Sequence, residues 1–233
     1  MSFADQIVVL DSGSTDGTAD VAKSMGAELT QSPDWAGFGI QKNRALALAS
    51  CDWVLSIDAD ERISPELQAE IRSVLDKPQF DVYSFPRLSS YCGQYMRHSG
   101  WYPDRITRLF KRGSASFSND LVHEKLITQQ AVGSLRAHML HESFTSFEAV
   151  LDKANRYSTA GAQHLFQQGK KASVGQALGH GLWAFFRTYV LRLGFMDGRR
   201  GLLLAISNAE GTYYRYLKLW LMSQPDHKTR QTQ

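Results

Sequence analysis

The stretch Ile7–Thr18, IVVLDSGSTDGT, decides the predicted fold, because four apolar residues run into an aspartate and then into small, polar residues. A short apolar run that is rich in β-branched residues is typical of a strand buried on both faces of a parallel sheet. The residues after Asp11 predict a tight turn and then a helix that ends near Gly26. The sequence therefore predicts an α/β protein whose first strand lies in the sheet interior.

Asp11 stands at the carboxyl end of this strand, which is the position where open α/β sheets bind their ligands. The turn that follows offers backbone N–H groups close to a helix N-terminus, and such groups suit an anion. An ordinary strand-to-helix turn with a capping aspartate explains the same residues. These residues alone leave both interpretations open.

A second acidic stretch, Asp58–Glu61 (DADE), follows a strand predicted at Trp53–Ile57. Asp58 and Asp60 are two residues apart, so both carboxylates can turn toward one hard cation such as Mg²⁺ or Mn²⁺. We expect the two acidic strand ends to lie at the same edge of one sheet. A pair of solvated acids at a strand end is the alternative.

The rest of the chain changes character twice. Ser64 and Pro65 begin a predicted helix, and the segment from Asp81 to His141 shows short alternating patterns that predict a β-rich, irregular half. The predicted organisation is a domain over residues 1–145, an amphipathic helical region over 146–222 and a disordered tail over 223–233. The predicted helices of that region are Phe147–Gln168, Val174–Leu193 and Arg199–Met222.

The charge of the chain is unevenly distributed. Residues 1–145 carry 14 Lys and Arg against 18 Asp and Glu, whereas residues 146–233 carry 12 against 5. Basic helices rich in aromatic residues suit the surface of an anionic membrane, although packing of these helices on one another is the alternative. Two cysteines do not suggest a disulfide framework or a zinc site, so we expect a reduced, cytosolic protein.

Taken together, the order strand, DSGSTDGT, helix, strand, helix, strand, DADE resembles the family 2 glycosyltransferases, which have the GT-A fold. Four further stretches resemble the branch that builds the core of bacterial lipopolysaccharide: QKNRALALASCDWVLSIDADE, YPDRITRLFKR, VHEKL and GFMDGRRGLLLA. The resemblance implies a Rossmann-like nucleotide-binding half, a β-rich acceptor half and a C-terminal helical region. The implied reaction is an inverting, metal-dependent transfer of a hexose, with glucose from UDP-glucose expected, onto the lipopolysaccharide inner core.

The resemblance also implies roles for individual residues. It assigns Asp11, Lys42, Asn43 and Asp58 to the nucleotide sugar, Asp60 to a divalent cation, Mg²⁺ or Mn²⁺, and Glu124 to the catalytic base. His141 is a candidate third metal ligand, and His123 is a candidate to orient Glu124. Trp101 and Tyr102 are expected to stack on the acceptor, and Arg105 and Arg108 to meet a phosphate or a sugar acid.

Each of these assignments has an ordinary structural alternative. Glu124 could be a strand residue paired with Lys125 or Arg108, the aromatic residues could pack in a core, the arginines could form a solvated basic face, and the histidines could simply pack.

The expected partners are a UDP-sugar donor and a lipopolysaccharide core or another lipid-linked saccharide. Peripheral contact of the C-terminal helices with the cytoplasmic face of the inner membrane is expected, and no nucleic-acid partner is. Family members usually carry another strand and helix before the strand that opens this chain, so the resemblance implies that this unit is missing. An inactive fragment, a D-x-D phosphohydrolase and a non-catalytic scaffold remain as alternatives.

Overall fold

The computed structural model describes residues 3–119 and 124–224. The chain divides into two compact units, of which the first comprises Met1–Pro86 and Arg105–Met139. The second comprises Arg87–Asp104 and Leu140–Gln233. The second unit therefore adds an internal segment to the helical region that the sequence predicts from residue 146.

The secondary structure is mixed α/β, with short strands before residue 145 and long helices after it. The strands are β1 Val8–Asp11, β2 Glu28–Gln31, β3 Trp53–Leu55, β4 Glu61–Ile63, β5 Val82–Tyr91, β6 Gln94–Tyr95, β7 Asp104–Lys111, β8 Ser116–Phe117, β9 Leu126–Ile127, β10 Val132–Ser134 and β11 Met139–Phe144. The helices are α1 Thr18–Ser24, α2 Phe38–Ala47, α3 Pro65–Asp76, α4 Phe147–Gln167, α5 Val174–Phe186 and α6 Gly198–Met222. A π-helical turn, Arg187–Leu191, extends α5, and a 3₁₀ turn, Gly194–Asp197, precedes α6.

The strands form one large sheet and two small ones. The large sheet has the order β3, β7, β5, β11, β4, and β6 and β10 also pair with β5. In it β3 runs antiparallel to β7, with Leu55 opposite Leu109. In the small sheets β1 pairs in parallel with β2, and β8 pairs antiparallel with β9.

The prediction that β1 is an interior strand is wrong. Among the described residues β1 pairs only with β2, and Val8, Val9 and Leu10 are half-buried. The expected common sheet edge for the two acidic stretches is also wrong, since β3 pairs with β7 and belongs to another sheet. The apolar run therefore identifies a strand correctly but does not identify its neighbours, because periodicity carries no information on pairing.

Helix α3 begins where its sequence predicts. The Ser64 side chain accepts a hydrogen bond from the Leu67 N–H at 3.1 Å, and Pro65 occupies the first turn, where no N–H is needed. Leu67 and Ile71 are almost fully buried and pack with Phe85 and other apolar side chains to form the core of the first unit. Burial of one such side chain contributes about 1.5–3 kcal/mol.

Three helices, α4, α5 and α6, dominate the second unit, and both α4 and α5 pack against α6. The Lys218 ammonium on α6 donates to Asn155, Ser158 and Thr159 on α4, at distances from 2.7 to 3.1 Å. Tyr91 on β5 makes a 2.8 Å hydrogen bond with Ser207 on α6. Within residues 3–119 and 124–224, no helix has the length and apolarity needed to cross a membrane.

Asp197, in the stretch GFMDGRRG, has a structural role in the second unit. Its buried carboxylate accepts hydrogen bonds from the backbone N–H groups of Arg97 and His98, at 3.1 and 3.0 Å, and from the Ser99 hydroxyl at 2.9 Å. A buried carboxylate is tolerated when its oxygens are hydrogen-bonded in this way. Asp197 thus fixes a segment that is nearly 100 residues away in the sequence.

We predict that Asp197→Ala lowers the free energy of unfolding by about 2–4 kcal/mol, because it leaves buried N–H and hydroxyl donors without an acceptor. Urea unfolding followed by circular dichroism measures the change. Asp152→Ala, at an exposed position on α4, is the matched control and should change the free energy by less than about 0.5 kcal/mol. Equal effects of the two substitutions would contradict this role of Asp197.

Candidate active site

An ammonium group and two carboxylates meet in the first unit, beyond the end of β3. Lys42, on α2, places its Nζ 2.7 Å from Asp58 Oδ1 and 2.7 Å from Glu124 Oε1. The side chains of Lys42 and Glu124 are largely buried, at 14% and 16% exposure. The structure therefore brings together three residues that the resemblance assigns to the nucleotide sugar and to the base.

Arg108, on β7, extends this group to a network of five side chains. Its guanidinium lies 2.6 Å from Asp58 Oδ2 and 3.6 Å from Glu61 Oε1. Glu61 has no exposed side-chain surface, and its Oε2 accepts the Asp58 N–H at 2.9 Å. We name the set Lys42, Asp58, Glu61, Arg108 and Glu124 the ion-pair network.

The charges of the network favour the ionised form of Asp58. Burial acts to raise the pKa of the Asp58 carboxyl, but the Arg108 guanidinium and the Lys42 ammonium together outweigh burial and hold that pKa below its usual value. Two cations face three carboxylates in the network. Lys42 pairs with one carboxylate oxygen of Asp58, and Arg108 pairs with the other.

Helix α2 also holds β8 in place beside the network. The Asn43 side chain donates to the Phe117 carbonyl at 2.8 Å and accepts the Phe117 N–H at 2.9 Å. The Lys42 Nζ lies 5.6 Å from the centre of the Phe117 ring, within the range of a cation–π contact. The amide of Asn43, which the resemblance places near the nucleotide, thus makes paired backbone hydrogen bonds to β8.

Asp11 shapes the turn after β1. Its carboxylate accepts hydrogen bonds from the N–H groups of Gly13 and Ser14, and from the Ser14 hydroxyl at 2.5 Å. The hydroxyl bond, helped by the two N–H bonds, holds the pKa of Asp11 below its usual value against the opposing effect of burial. Gln41 on α2 donates to the Ser12 hydroxyl at 3.0 Å and so connects α2 to this turn.

Glu61 and Gln41 contact the candidate site, and the sequence alone predicts a role for neither. Glu61 directly follows the D-x-D pair in DADE, so its place beside Asp58 is the signal that could have identified it. Gln41 directly precedes Lys42, but its buried amide carries no sequence signal for this role. Glu61 accepts the backbone N–H of Asp58, and Gln41 donates to Ser12 in the turn after β1. Neither contact belongs to a sequence motif that predicts a catalytic role.

Asp60 is exposed, two residues beyond Asp58. Mg²⁺ usually binds through one or two carboxylates and the phosphates of a substrate, so an exposed carboxylate at this position fits such an ion. Within the described ranges, no three His, Cys, Asp or Glu side chains are grouped to hold a metal. His141 lies in the second unit, where its Nδ1 is 2.9 Å from the Ser89 hydroxyl, and His123 lies outside the described residues.

The four residues expected at the acceptor have different surroundings. Arg105 donates to the carbonyls of Ser84 and Leu135, at 3.0 and 2.9 Å, whereas Arg108 belongs to the ion-pair network. Trp101 packs edge-on against Tyr91 in the second unit, and the Tyr102 ring lies 5.9 Å from the Arg97 guanidinium. Trp101 also lines a cavity of the second unit.

We predict that Gly39→Ala on α2 disturbs the network. A Cβ at Gly39 would lie 1.7 Å from the Ser118 carbonyl oxygen and 3.5 Å from Glu124 Cβ, so the backbone of Ser118 must move. The expected loss of stability is about 1–3 kcal/mol. The control is Gly179→Ala in α5, where no atom lies within 4 Å of the added Cβ and helix propensity predicts a gain of about 0.5–1 kcal/mol. Thermal unfolding of both variants checks the opposite signs, and a stabilising Gly39→Ala would contradict the packing described.

The chain matches the family described as Glycosyl transferase family 2 over residues 2–132. It is 32% identical over 230 residues to the uncharacterized glycosyltransferase RP128 of Rickettsia prowazekii, covering 94% of this chain and 78% of that protein. It is 29% identical over 234 residues to the lipopolysaccharide core biosynthesis glycosyltransferase LpsC of Rhizobium meliloti, covering 91% and 83%. Among solved structures, S. aureus TarS 1-349 has a TM-score of 0.43 at 15% identity, covering 98% and 82%. The chain belongs to the family 2 glycosyltransferases, whose fold is of the GT-A type.

Proposed function

We propose that the chain transfers glucose from UDP-glucose, with inversion, onto the inner core of lipopolysaccharide. The observation that carries the proposal is the ion-pair network, which joins the candidate base Glu124 to Asp58 through Lys42. The similarity to LpsC, whose name places it in lipopolysaccharide core biosynthesis, supports this acceptor. Another lipid-linked saccharide is the alternative acceptor, and family membership favours a transferase over a phosphohydrolase or a scaffold.

In the proposed reaction Glu124 acts as the general base. Its carboxylate accepts the proton of an acceptor hydroxyl while the hydroxyl oxygen bonds to the anomeric carbon of the donor. The bond from that carbon to the diphosphate oxygen breaks at the same time, and the diphosphate leaves with the electron pair. Because the Lys42 ammonium lies 2.7 Å from Glu124 Oε1, the ion pair fixes the position of the base.

Lys42 and Arg108 also supply fixed cationic N–H donors for the oxygens of a nucleoside diphosphate. Both cations are anchored by Asp58, so their positions do not depend on the arrival of a ligand. Preorganised charges of this kind stabilise developing negative charge without rearranging during the reaction. We assign Asp11 and Asn43 to the nucleotide pocket as well. There Asp11 holds the turn after β1 in place, and Asn43 holds β8 in place.

A divalent cation, Mg²⁺ or Mn²⁺, completes the proposal, with Asp60 as the residue that would hold it. Such a cation, when bound, supplies charge neutralisation for the departing diphosphate. The excess of carboxylates over cations in the network also favours a cation in this region. His141 remains a proposed further ligand.

We further propose that the protein acts at the cytoplasmic face of the inner membrane through its C-terminal helices. Large apolar side chains of α5 and of the two short turns after it are exposed to solvent, among them Leu182 at 72% and Trp183 at 53%. Arg187 and Arg192 follow in the same segment and are exposed too. Exposed apolar and cationic side chains on one segment suit the surface of an anionic bilayer.

We predict that Glu124→Gln lowers kcat by about a hundredfold to ten-thousandfold, because the amide cannot accept the proton. Glucosyl transfer from UDP-glucose to a lipopolysaccharide acceptor that lacks the terminal glucose measures the effect. UDP binding, followed by thermal stabilisation, should persist. Asp52→Asn, at an exposed position, is the control and should leave kcat unchanged.

Glu124→Gln removes both the proposed base and its ion pair with Lys42, so loss of the ion pair alone could also lower activity. Lys42→Gln removes the ion pair but keeps the base, and therefore separates these two effects. This variant keeps the carboxylate of Glu124 but removes a proposed contact to the diphosphate, so it should weaken UDP binding. Turnover by Glu124→Gln within threefold of the wild type would show that the base lies elsewhere.

We predict that UDP with Mn²⁺ raises Tm by about 5–10 °C at about 100 times Kd, since a stabilisation of about 2.7 kcal/mol is expected there. Asp60→Ala should remove the part of this shift that depends on Mn²⁺ and keep the weaker shift produced by UDP alone. Differential scanning fluorimetry with and without EDTA measures both parts. A Mn²⁺-dependent shift that survives in Asp60→Ala would exclude Asp60 as the ligand.

A further inference from the structure

The second unit contains a cavity of about 730 Å³ whose lining includes His141 but no member of the ion-pair network. Its lining comes from β5, β11 and the segment around Trp101, and from α4, α5, the π-helical turn and α6. Binding sites for small molecules usually measure about 300–1,000 Å³, so this cavity has the size of a mono- or disaccharide site.

Cationic side chains that line the cavity outnumber acidic ones. Four of them are Lys153, Arg187, Arg192 and Arg215. In the described part of the chain, none of the four lies within ion-pair distance of a carboxylate. Asp104 is the one described acidic residue of the lining, and it pairs with Arg87 at 2.7 Å. Several cations around one cavity repel each other, and an anion removes that repulsion.

The cavity wall also carries aromatic rings and hydroxyl or amide groups. Trp101 and Tyr157 line it, and the Tyr157 residue is 54% exposed. The Lys153 Nζ lies 4.8 Å from the centre of the Phe144 ring and 5.6 Å from that of Tyr157, which keeps this cation against the aromatic wall. Asn208 and Thr212 on α6 add hydrogen-bonding groups. Rings beside polar groups suit the apolar faces and hydroxyls of a sugar.

Backbone contacts hold one rim of the cavity. The Ser99 N–H donates to the Arg192 carbonyl at 2.8 Å, and the Ser99 hydroxyl donates to the buried Asp197. A Cβ at Gly100 would lie 2.5 Å from Arg192 Cδ, so the Arg192 side chain lies directly on the Gly100 backbone. The Arg192 guanidinium therefore lies at the rim of the cavity, beside the Gly100 backbone.

We propose that this cavity binds an anionic saccharide, that is, a sugar bearing a phosphate or carboxylate group, as part of the acceptor. The inference rests on the proposed function, which it deepens by assigning the acceptor a negative charge. Exposed apolar side chains of the segment that contributes Arg187 and Arg192, such as Leu191 at 56% and Met196 at 58%, fit an acceptor that is anchored in lipid.

The test is isothermal titration calorimetry of the full chain with glucose 6-phosphate and with glucose at constant ionic strength. Glucose 6-phosphate should bind at least about tenfold more tightly, because charge-assisted hydrogen bonds form only with the phosphate. The combined variant Arg187→Gln, Arg192→Gln, Arg215→Gln should abolish the difference. Arg156→Gln, an exposed arginine of α4 outside the cavity lining, is the control and should retain it. Equal binding of the two sugars, or an unchanged preference in the combined variant, would overturn the proposal.

Two further measurements separate the possible outcomes. Vesicles of phosphatidylcholine with phosphatidic acid present a lipid phosphate without a sugar, and their displacement of glucose 6-phosphate would overturn the saccharide part. The combined variant should unfold at a Tm no lower than that of the wild type, because it removes neighbouring like charges, and it should keep the shift produced by UDP with Mn²⁺. Absence of the shift in the wild type would contradict the proposed transferase reaction. A normal shift without a preference for glucose 6-phosphate would contradict only the proposal that the cavity binds an anionic saccharide.

Discussion

The ion pair between Lys42 and Asp58 is the contact on which the candidate active site depends. Lys42 lies between two carboxylates at 2.7 Å each, and Asp58 lies between two cations. Removal of either residue leaves partners with little solvent to compensate them, since Glu124 and Arg108 are mostly buried. Breaking a buried pair in this way is far more costly than the net contribution of the pair itself. The network therefore links the stability of this region to the charges that the proposed reaction uses.

The fold was predictable where local chemistry determines structure. Ser64 and Pro65 mark the start of α3 because a hydroxyl cap and a proline at the first turn act within three residues. The neighbours of β1 were not predictable, since the apolar run of Ile7–Leu10 describes burial and not pairing. The contact between Asn43 and Phe117 spans 74 residues and leaves no pattern in either stretch.

The site was predictable to the extent that the resemblance named its residues. Lys42, Asp58 and Glu124 were assigned in this way, and the structure places them in ion-pair contact. Arg108 was assigned to the acceptor from its loop, but it contacts Asp58, because β7 carries it next to β3. The buried Glu61 was overlooked because one acid beside a D-x-D pair cannot be distinguished from a solvated one without knowledge of burial.

The cationic side chains of the two units differ in their partners, and this difference is relevant to function. In the first unit Lys42 and Arg108 each contact carboxylates, so their charges contribute to the cohesion of the protein. In the second unit Arg187, Arg192 and Arg215 line one cavity without an ion pair to any described carboxylate. Cations gathered in this manner repel each other and add nothing to folding stability. Because all three arginines are exposed to solvent, their repulsion is screened and costs the fold little, so the group stays available to an anionic ligand. The aromatic and polar wall of the cavity favours a sugar as the carrier of that negative charge.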